Sequence, residues 1–237
     1  MILLEVREIH TYYGLSHVLH GISLNVQEGE VVCLLGRNGA GKSTTIRSIM
    51  GLTPPAQGSI RAFNLDIHTM KPYDIFKHGI RWIPQGRKIF PMLTVEENLK
   101  LALISEGSQN QARELTQAYE LFPILRAKRR SKANTLSGGQ LQMAAIARAL
   151  IGPTRLILMD EPTEGLAPLI IQQIGEVIRS IKDQGKTVLL AEQNLQLALS
   201  VADRHYIIDN GQIKFTGTGQ ELDQNEEVKR TYLGVGG

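Results

Sequence analysis

Three short segments, VVCLL from Val31, LILM from Leu156 and VLLA from Val188, are apolar at every position. Strands covered on both faces read this way, because each side of the sheet meets its own packed layer. Adding the shorter and alternating runs predicts strands over residues 3–9, 21–26, 30–35, 80–84, 156–160, 187–191, 205–209 and 212–216. Apolar positions three and four apart predict helices over 42–50, 95–104, 109–122, 138–151, 169–184 and 195–201. Thr94 opens T-V-E-E, a capping box that starts its helix sharply. From about residue 86 to 151 almost nothing reads as strand, which predicts a helical lobe inserted into an α/β core. The expected division is a core of 1–85 and 152–237 around a lobe of 86–151. The closing GVGG reads as a frayed terminus.

Composition narrows the class. A chain of 237 residues buries roughly 70 to 75% of its unfolded surface, so it needs neither disulfides nor a structural metal to fold. With 42% hydrophobic and 21% charged residues it is ordinary for a globular protein. No stretch approaches the roughly 20 apolar residues that cross a bilayer. The start, MILLEVREIH, lacks a basic export-signal region, and one cysteine makes no internal disulfide. A soluble protein in a reducing cytoplasm is expected. A net charge of +3 is too small to argue for nucleic acid.

The chemistry begins at GRNGAGKST, comprising Gly36, Arg37, Asn38, Gly39, Ala40, Gly41, Lys42, Ser43 and Thr44. It fits G-x-x-x-x-G-K-[ST] in the required setting, after an apolar strand and running into a helix. Glycines let successive backbone N–H groups converge on phosphate oxygens, and the helix N-terminus adds its positive dipole end. Lys42 reaches the outer phosphates and the Ser43 hydroxyl can ligate Mg2+. Further on, LILMDEP ends an apolar strand in Asp160, placing a metal-binding carboxylate at the sheet edge. Glu161 follows, free to orient or deprotonate a water. A second candidate anion grip opens the helix at LSGGQ, through Ser137, Gly138, Gly139 and Gln140.

With the P-loop, LSGGQ and LILMDEP in this order, the sequence resembles the ATPase subunit of an ABC transporter, a likeness that runs from YYG to DRHYIIDNGQI. The resemblance implies a P-loop NTPase core with a mainly parallel sheet, an N-terminal antiparallel β subdomain and an inserted helical subdomain. It also implies ATP and Mg2+ as cofactors, with two cassettes packed head to tail so that the signature of one closes over the nucleotide of the other. Carried over by motif, Tyr13 stacks on adenine, unless it packs as a strand-end aromatic beside Tyr12. Gln85 of WIPQ touches Mg2+ and senses the membrane subunits, Ser137 to Gln140 face the partner's γ-phosphate, and Glu161 is the catalytic carboxylate. Gln193 follows TVLLAE where most cassettes have a switch histidine, and either contacts the γ-phosphate or caps the next helix.

Within that family PQGRKIFPMLTVEENL, DEPTEGLAP, AEQN and TYLG are similar to ATPases of branched-chain amino acid importers and their urea-type relatives. Ala167 and Gln193 depart from the commoner Asp and His, and both departures recur in the branched-chain type. PQGR lies closer to the urea type and EGLAP to the amino-acid type, so the solute stays open. The resemblance implies a second cassette (a sister chain or another copy), two membrane permeases, an extracytoplasmic solute-binding protein, and a peripheral place on the cytoplasmic face of the membrane. No nucleic-acid partner is expected. A soluble ABC ATPase of DNA or the ribosome would carry long coiled coils or two cassettes, and a non-hydrolysing switch is the remaining alternative. KRRSK, 128–132, reads as a solvated loop, and the His17-x-x-His20 spacing lacks an acid or cysteine cluster beside it.

Overall fold

Two sheets back each other across a shared apolar layer in the computed structural model, which describes residues 1–106 and 111–234. The chain runs β1 (Ile2–Tyr13), β2 (Ser16–Gln27), β3 (Val31–Leu35), α1 (Lys42–Ile49), β4 (Gln57–Ala62), β5 (Leu65–Asp66), α2 (Pro72–Lys77) and β6 (Ile80–Ile83). Then follow α3 (Val95–Lys100), a 3-10 turn, α4 (Gln111–Leu121), α5 (Pro123–Ala127) and α6 (Gly138–Leu150). The second half holds β7 (Leu156–Asp160), α7 (Pro168–Asp183), β8 (Thr187–Glu192), α8 (Leu195–Val201), β9 (Arg204–Asp209) and β10 (Gln212–Thr218). Short helices over Gly219–Asp223 and Glu226–Val228 lead to the last described turn.

The smaller sheet is antiparallel, ordered β2-β1-β4-β5, and the larger is ordered β10-β9-β3-β8-β7-β6. In the larger sheet every neighbouring pair is parallel except β9 with β10. This is the α/β fold class expected, and the three all-apolar segments are its central strands. Because side chains alternate along a strand, one set of positions faces each way. Val32, Leu34, Leu158 and Leu189 join α1 and the smaller sheet in one core. Val31, Cys33, Leu35, Ile157 and Leu190 join α6, α7 and α8 in the other. Each fully buried Leu or Ile contributes roughly 1.5–3 kcal/mol, so the strands are held from both sides. Cys33 sits in this core as an inert thiol, pushed well up by burial.

Differences from the expected elements have local causes. β1 and β2 run to 12 residues each as a hairpin, although polar Thr11, His10, His17 and His20 break the apolar pattern there. The strands β4 and β5 are not expected from the sequence because QGSIRA and LD carry too few apolar residues; pairing of β4 with β1, and of β5 with β4, supplies what their composition does not. Between Lys100 and Glu106 the expected helix tightens into a 3-10 turn. The helix expected from 109 begins at Gln111 among the described residues; 109 and 110 lie outside them, as do 235–237 of the closing GVGG. Thr94 caps α3 as expected, accepting from Glu97 N at 3.2 Å while Glu97 Oε2 accepts from Thr94 N at 2.7 Å. The basic segment 128–132 is fastened along that helix start, with Arg129 O and Ser131 O accepting from Glu96 N and Val95 N.

Candidate functional site

Four neighbouring strands of the larger sheet, β3, β8, β7 and β6, end side by side, and the ends of β3, β7 and β6 bring together Lys42, Ser43, Asp160, Glu161 and Gln85. After β3 the chain turns through Gly36, where a Cβ would lie 2.4 Å from the Ile208 carbonyl oxygen, so only glycine lets the loop pass. Gly41 then caps α1 with φ of 113°. The Lys42 ammonium folds back over this loop, donating to Gly36 O at 2.7 Å and to Arg37 O at 2.9 Å. Its third contact is an ion pair of 2.9 Å with Glu161 Oε1, both side chains nearly buried.

Glu161 stands one residue past β7 with φ of +47°, a conformation that costs a non-glycine residue on the order of 1–3 kcal/mol. The surroundings over-determine it. Its N–H donates to Ala191 O of β8 at 2.9 Å, Lys42 holds one carboxylate oxygen, and Gln85 Nε2 approaches the other at 3.3 Å. Gln85 also donates to Glu164 Oε2 at 2.8 Å, so its carbonyl oxygen is the atom that could meet a cation.

Asp160 ends β7 with a buried carboxyl that accepts from Ser43 Oγ at 2.8 Å. Burial raises its pKa to about 6; the Ser43 bond opposes the rise and the Glu161 charge adds to it. A carboxylate so short of solvation is stabilised by a hard cation, and the set of Ser43 hydroxyl, Asp160 carboxylate and Gln85 carbonyl is all oxygen, as Mg2+ requires. These donors fit the metal the sequence implies.

Other expected site residues lie apart from that cluster. Ser137 caps α6, accepting from Gln140 N at 3.3 Å, and Gln140 Oε1 accepts from Ser137 N at 3.1 Å. This capping box leaves the glycine-rich first turn half-open to solvent. Gly138 sits against Arg87, whose guanidinium would be 2.6 Å from a Cβ there. Arg87 donates to Glu164 O and Gly165 O, both at 3.2 Å, linking the signature helix to the segment after Glu161. Thr44 and Ala40 are buried, whereas Arg37, Asn38 and Gly39 are exposed at the loop's tip.

Tyr12 and Tyr13 are both exposed at the end of β1. Buried Thr11 has its hydroxyl 3.0 Å from Ser48 Oγ of α1, and Tyr13, at the exposed end of β1, lies two residues further on. Tyr12 stacks on His17, with ring centroids 4.2 Å apart. His17 also meets His10 and His20, but no cluster of His, Cys, Asp or Glu suited to a metal exists among the described residues. Gln193 is exposed, and Asn194 is the cap of α8, accepting from Leu197 N at 3.0 Å. The capping role weighed for Gln193 therefore belongs to its neighbour.

Sequence reasoning passed over Glu164 and Glu192. Glu192, buried at the end of β8, accepts from Thr163 N and Oγ1 through one oxygen and from Gln193 N and Asn194 N through the other. Burial raises its pKa, while these bonds pull it back. A lone acid closing an apolar strand, as Asp160 also does, was the available signal.

The family of ABC transporter domains matches residues 19–164. A high-affinity branched-chain amino acid transport ATP-binding protein of Pseudomonas aeruginosa is 42% identical over 98% of this chain and 100% of its own. The lipopolysaccharide export system ATP-binding protein of Escherichia coli is 35% identical over 99% and 98%. Among solved structures, a nucleotide-free ATP-binding cassette from an ABC transporter superposes with TM-score 0.86 at 30% identity, covering 100% of both chains. A dimeric, post-hydrolysis cassette bound to ADP and Pi superposes at 0.82 with 25% identity, covering 91% and 98%.

Proposed function

From the premise that this chain belongs to the ABC transporter family as an ATP-hydrolysing subunit, we propose that it powers import of a small polar solute, in the first instance branched-chain amino acids. The observation that carries the solute class is the 42% identity over essentially both whole chains to a branched-chain amino acid transport protein, against 35% to a lipopolysaccharide exporter. As a subunit of such a transporter the chain would act from the cytoplasmic face, docked on two permeases; no helix among the described residues is long and apolar enough to cross a membrane. An extracytoplasmic solute-binding protein completes the proposed system. The test is uptake into proteoliposomes holding this chain with its copurified permeases. ATP-dependent accumulation of leucine supports the reading; urea accumulation without leucine selects the urea type, and stimulation only by an amphiphile points to export.

Within that reading Lys42 and the backbone of positions 36–44 bind the phosphates, and Tyr13 meets adenine. Ser43, Asp160 and Gln85 hold Mg2+, which when bound offsets the charge of the phosphate oxygens. Glu161 takes the proton of the attacking water, with Gln193 donating to the γ-phosphate. Ser137, Gly138, Gly139 and Gln140 serve the partner cassette's nucleotide, as the family's head-to-tail arrangement implies. The division into a core of 1–85 and 152–237 and a lobe of 86–151 is part of the same proposal.

Two tests belong here. Gln193→Ala lowers ATP turnover about tenfold or more, the roughly 1–3 kcal/mol of a lost hydrogen bond to a charged group. Gln193→His keeps activity but gains a pH dependence between about 6 and 7.5, where imidazole titrates. Steady-state rates across pH decide this, and an unimpaired alanine variant removes Gln193 from its role.

The second test concerns docking. Past Gln85, Ile89 packs inward while Lys88, Phe90 and Met92 are exposed beside a groove of about 340 Å³ lined by Met50, Phe76, Trp82, Leu101 and Arg148. A cysteine at position 88 is expected to crosslink to permease loops. Crosslinks only within the cassette would refute the contact.

A further inference from the structure

Glu192 is buried to 3% exposure at the end of β8, yet no step of the proposed hydrolysis uses its carboxylate. Four donors converge on it. Oε1 accepts from Thr163 Oγ1 at 2.6 Å and Thr163 N at 3.2 Å, and Oε2 accepts from Gln193 N at 3.0 Å and Asn194 N at 3.1 Å. Its backbone carbonyl meets a third loop, accepting from Gly36 N at 3.3 Å where the P-loop begins. One residue therefore touches the segment two residues after Glu161, the turn bearing Gln193, and the entry to the phosphate loop.

A buried acid is expensive unless its bonds are satisfied, and a half-satisfied network costs more than an apolar replacement. Fixing a loop register needs only one such bond; binding two loops to the two oxygens of one rigid, planar group makes their separation a single quantity. Movement of the Gln193 turn then carries Thr163, and with it the Glu161 backbone, rather than being absorbed by slack between loops. We propose that Glu192 is a positioning residue for hydrolysis, locking the spacing between the Glu161 segment and the Gln193 turn. This rests on the roles proposed above for Glu161 and Gln193.

Glu192→Gln is the informative change, because it keeps the shape but turns one acceptor oxygen into an NH2 group facing donors. With the full chain, turnover is expected to fall at least tenfold while equilibrium ATP binding changes less than twofold, since the phosphate contacts of Lys42 and the loop backbone remain. Combined with Gln193→Ala, the loss should be smaller than the product of the two single losses, because both act through one turn. Thr163→Val, which removes only the hydroxyl donor, gives a smaller loss with the same split and serves if Glu192→Gln does not fold. Turnover within twofold of wild type in the variant measured overturns the proposal, as does a rate loss matched by an equal loss of ATP affinity or losses that multiply in the double variant. A Glu161→Gln control separates the two failures: if it hydrolyses normally the hydrolytic reading falls, whereas a dead control beside an active Glu192→Gln sinks only the positioning role.

Discussion

ATP turnover falls by about 10²–10⁴-fold in Glu161→Gln, the range spanned by removal of a positioned general base, while ATP is still bound. The amide keeps the volume and the left-handed backbone position, but it cannot take the proton of water. It also dissolves the 2.9 Å ion pair with Lys42. The ammonium retains its bonds to Gly36 O and Arg37 O, so it is not left bare, and it becomes more available to phosphate. Affinity for ATP is thus expected to hold or rise, and ATP-bound cassette dimers should outlast those of the wild type. Single-turnover hydrolysis with size-exclusion chromatography in ATP reads both effects. Turnover within twofold of wild type would remove Glu161 from its role.

Lys42→Ala has the opposite signature. It removes the cation that meets the β- and γ-phosphates, and charge-assisted bonds of this kind are worth about 1.5–3 kcal/mol each, or roughly ten- to a hundredfold in affinity. Two further losses add to it: the loop carbonyls of Gly36 and Arg37 lose their donor, and Glu161 is left as a nearly buried carboxylate whose remaining side-chain donor among the described residues is Gln85 at 3.3 Å. Breaking a buried pair from this side is therefore the more damaging choice, because the unpaired charge stays behind. Equilibrium binding of labelled ATP should weaken at least tenfold, with hydrolysis lost at ordinary ATP concentrations. An unchanged dissociation constant would count heavily against the phosphate-binding assignment of the loop.

The central sheet, the cap of α3, the P-loop and the acids of LILMDEP could all be read from the chain because each is written in a continuous segment. A strand covered on both faces must be apolar at every position, and a loop that admits a phosphate must be glycine-rich just before a helix. Local chemistry of that kind needs no knowledge of neighbours. The antiparallel strands β4 and β5 were not legible, since QGSIRA acquires its extended form by pairing with β1 and the two-residue β5 by pairing with β4. Tyr12 and Tyr13 are alike as neighbours in sequence, and the stacking of Tyr12 on His17 across the hairpin is what sets it apart. Arg87 on Gly138, and Glu192 between Thr163 and Gln193, join residues from 29 to 51 positions apart or adjoining turns whose approach exists only when the sheet is assembled. The sequence by itself thus supplied the chemical groups and their local backbone. Which carboxylate pairs with Lys42 and which one spans two loops follow from strand order, because parallel strands distant along the chain end at the same edge.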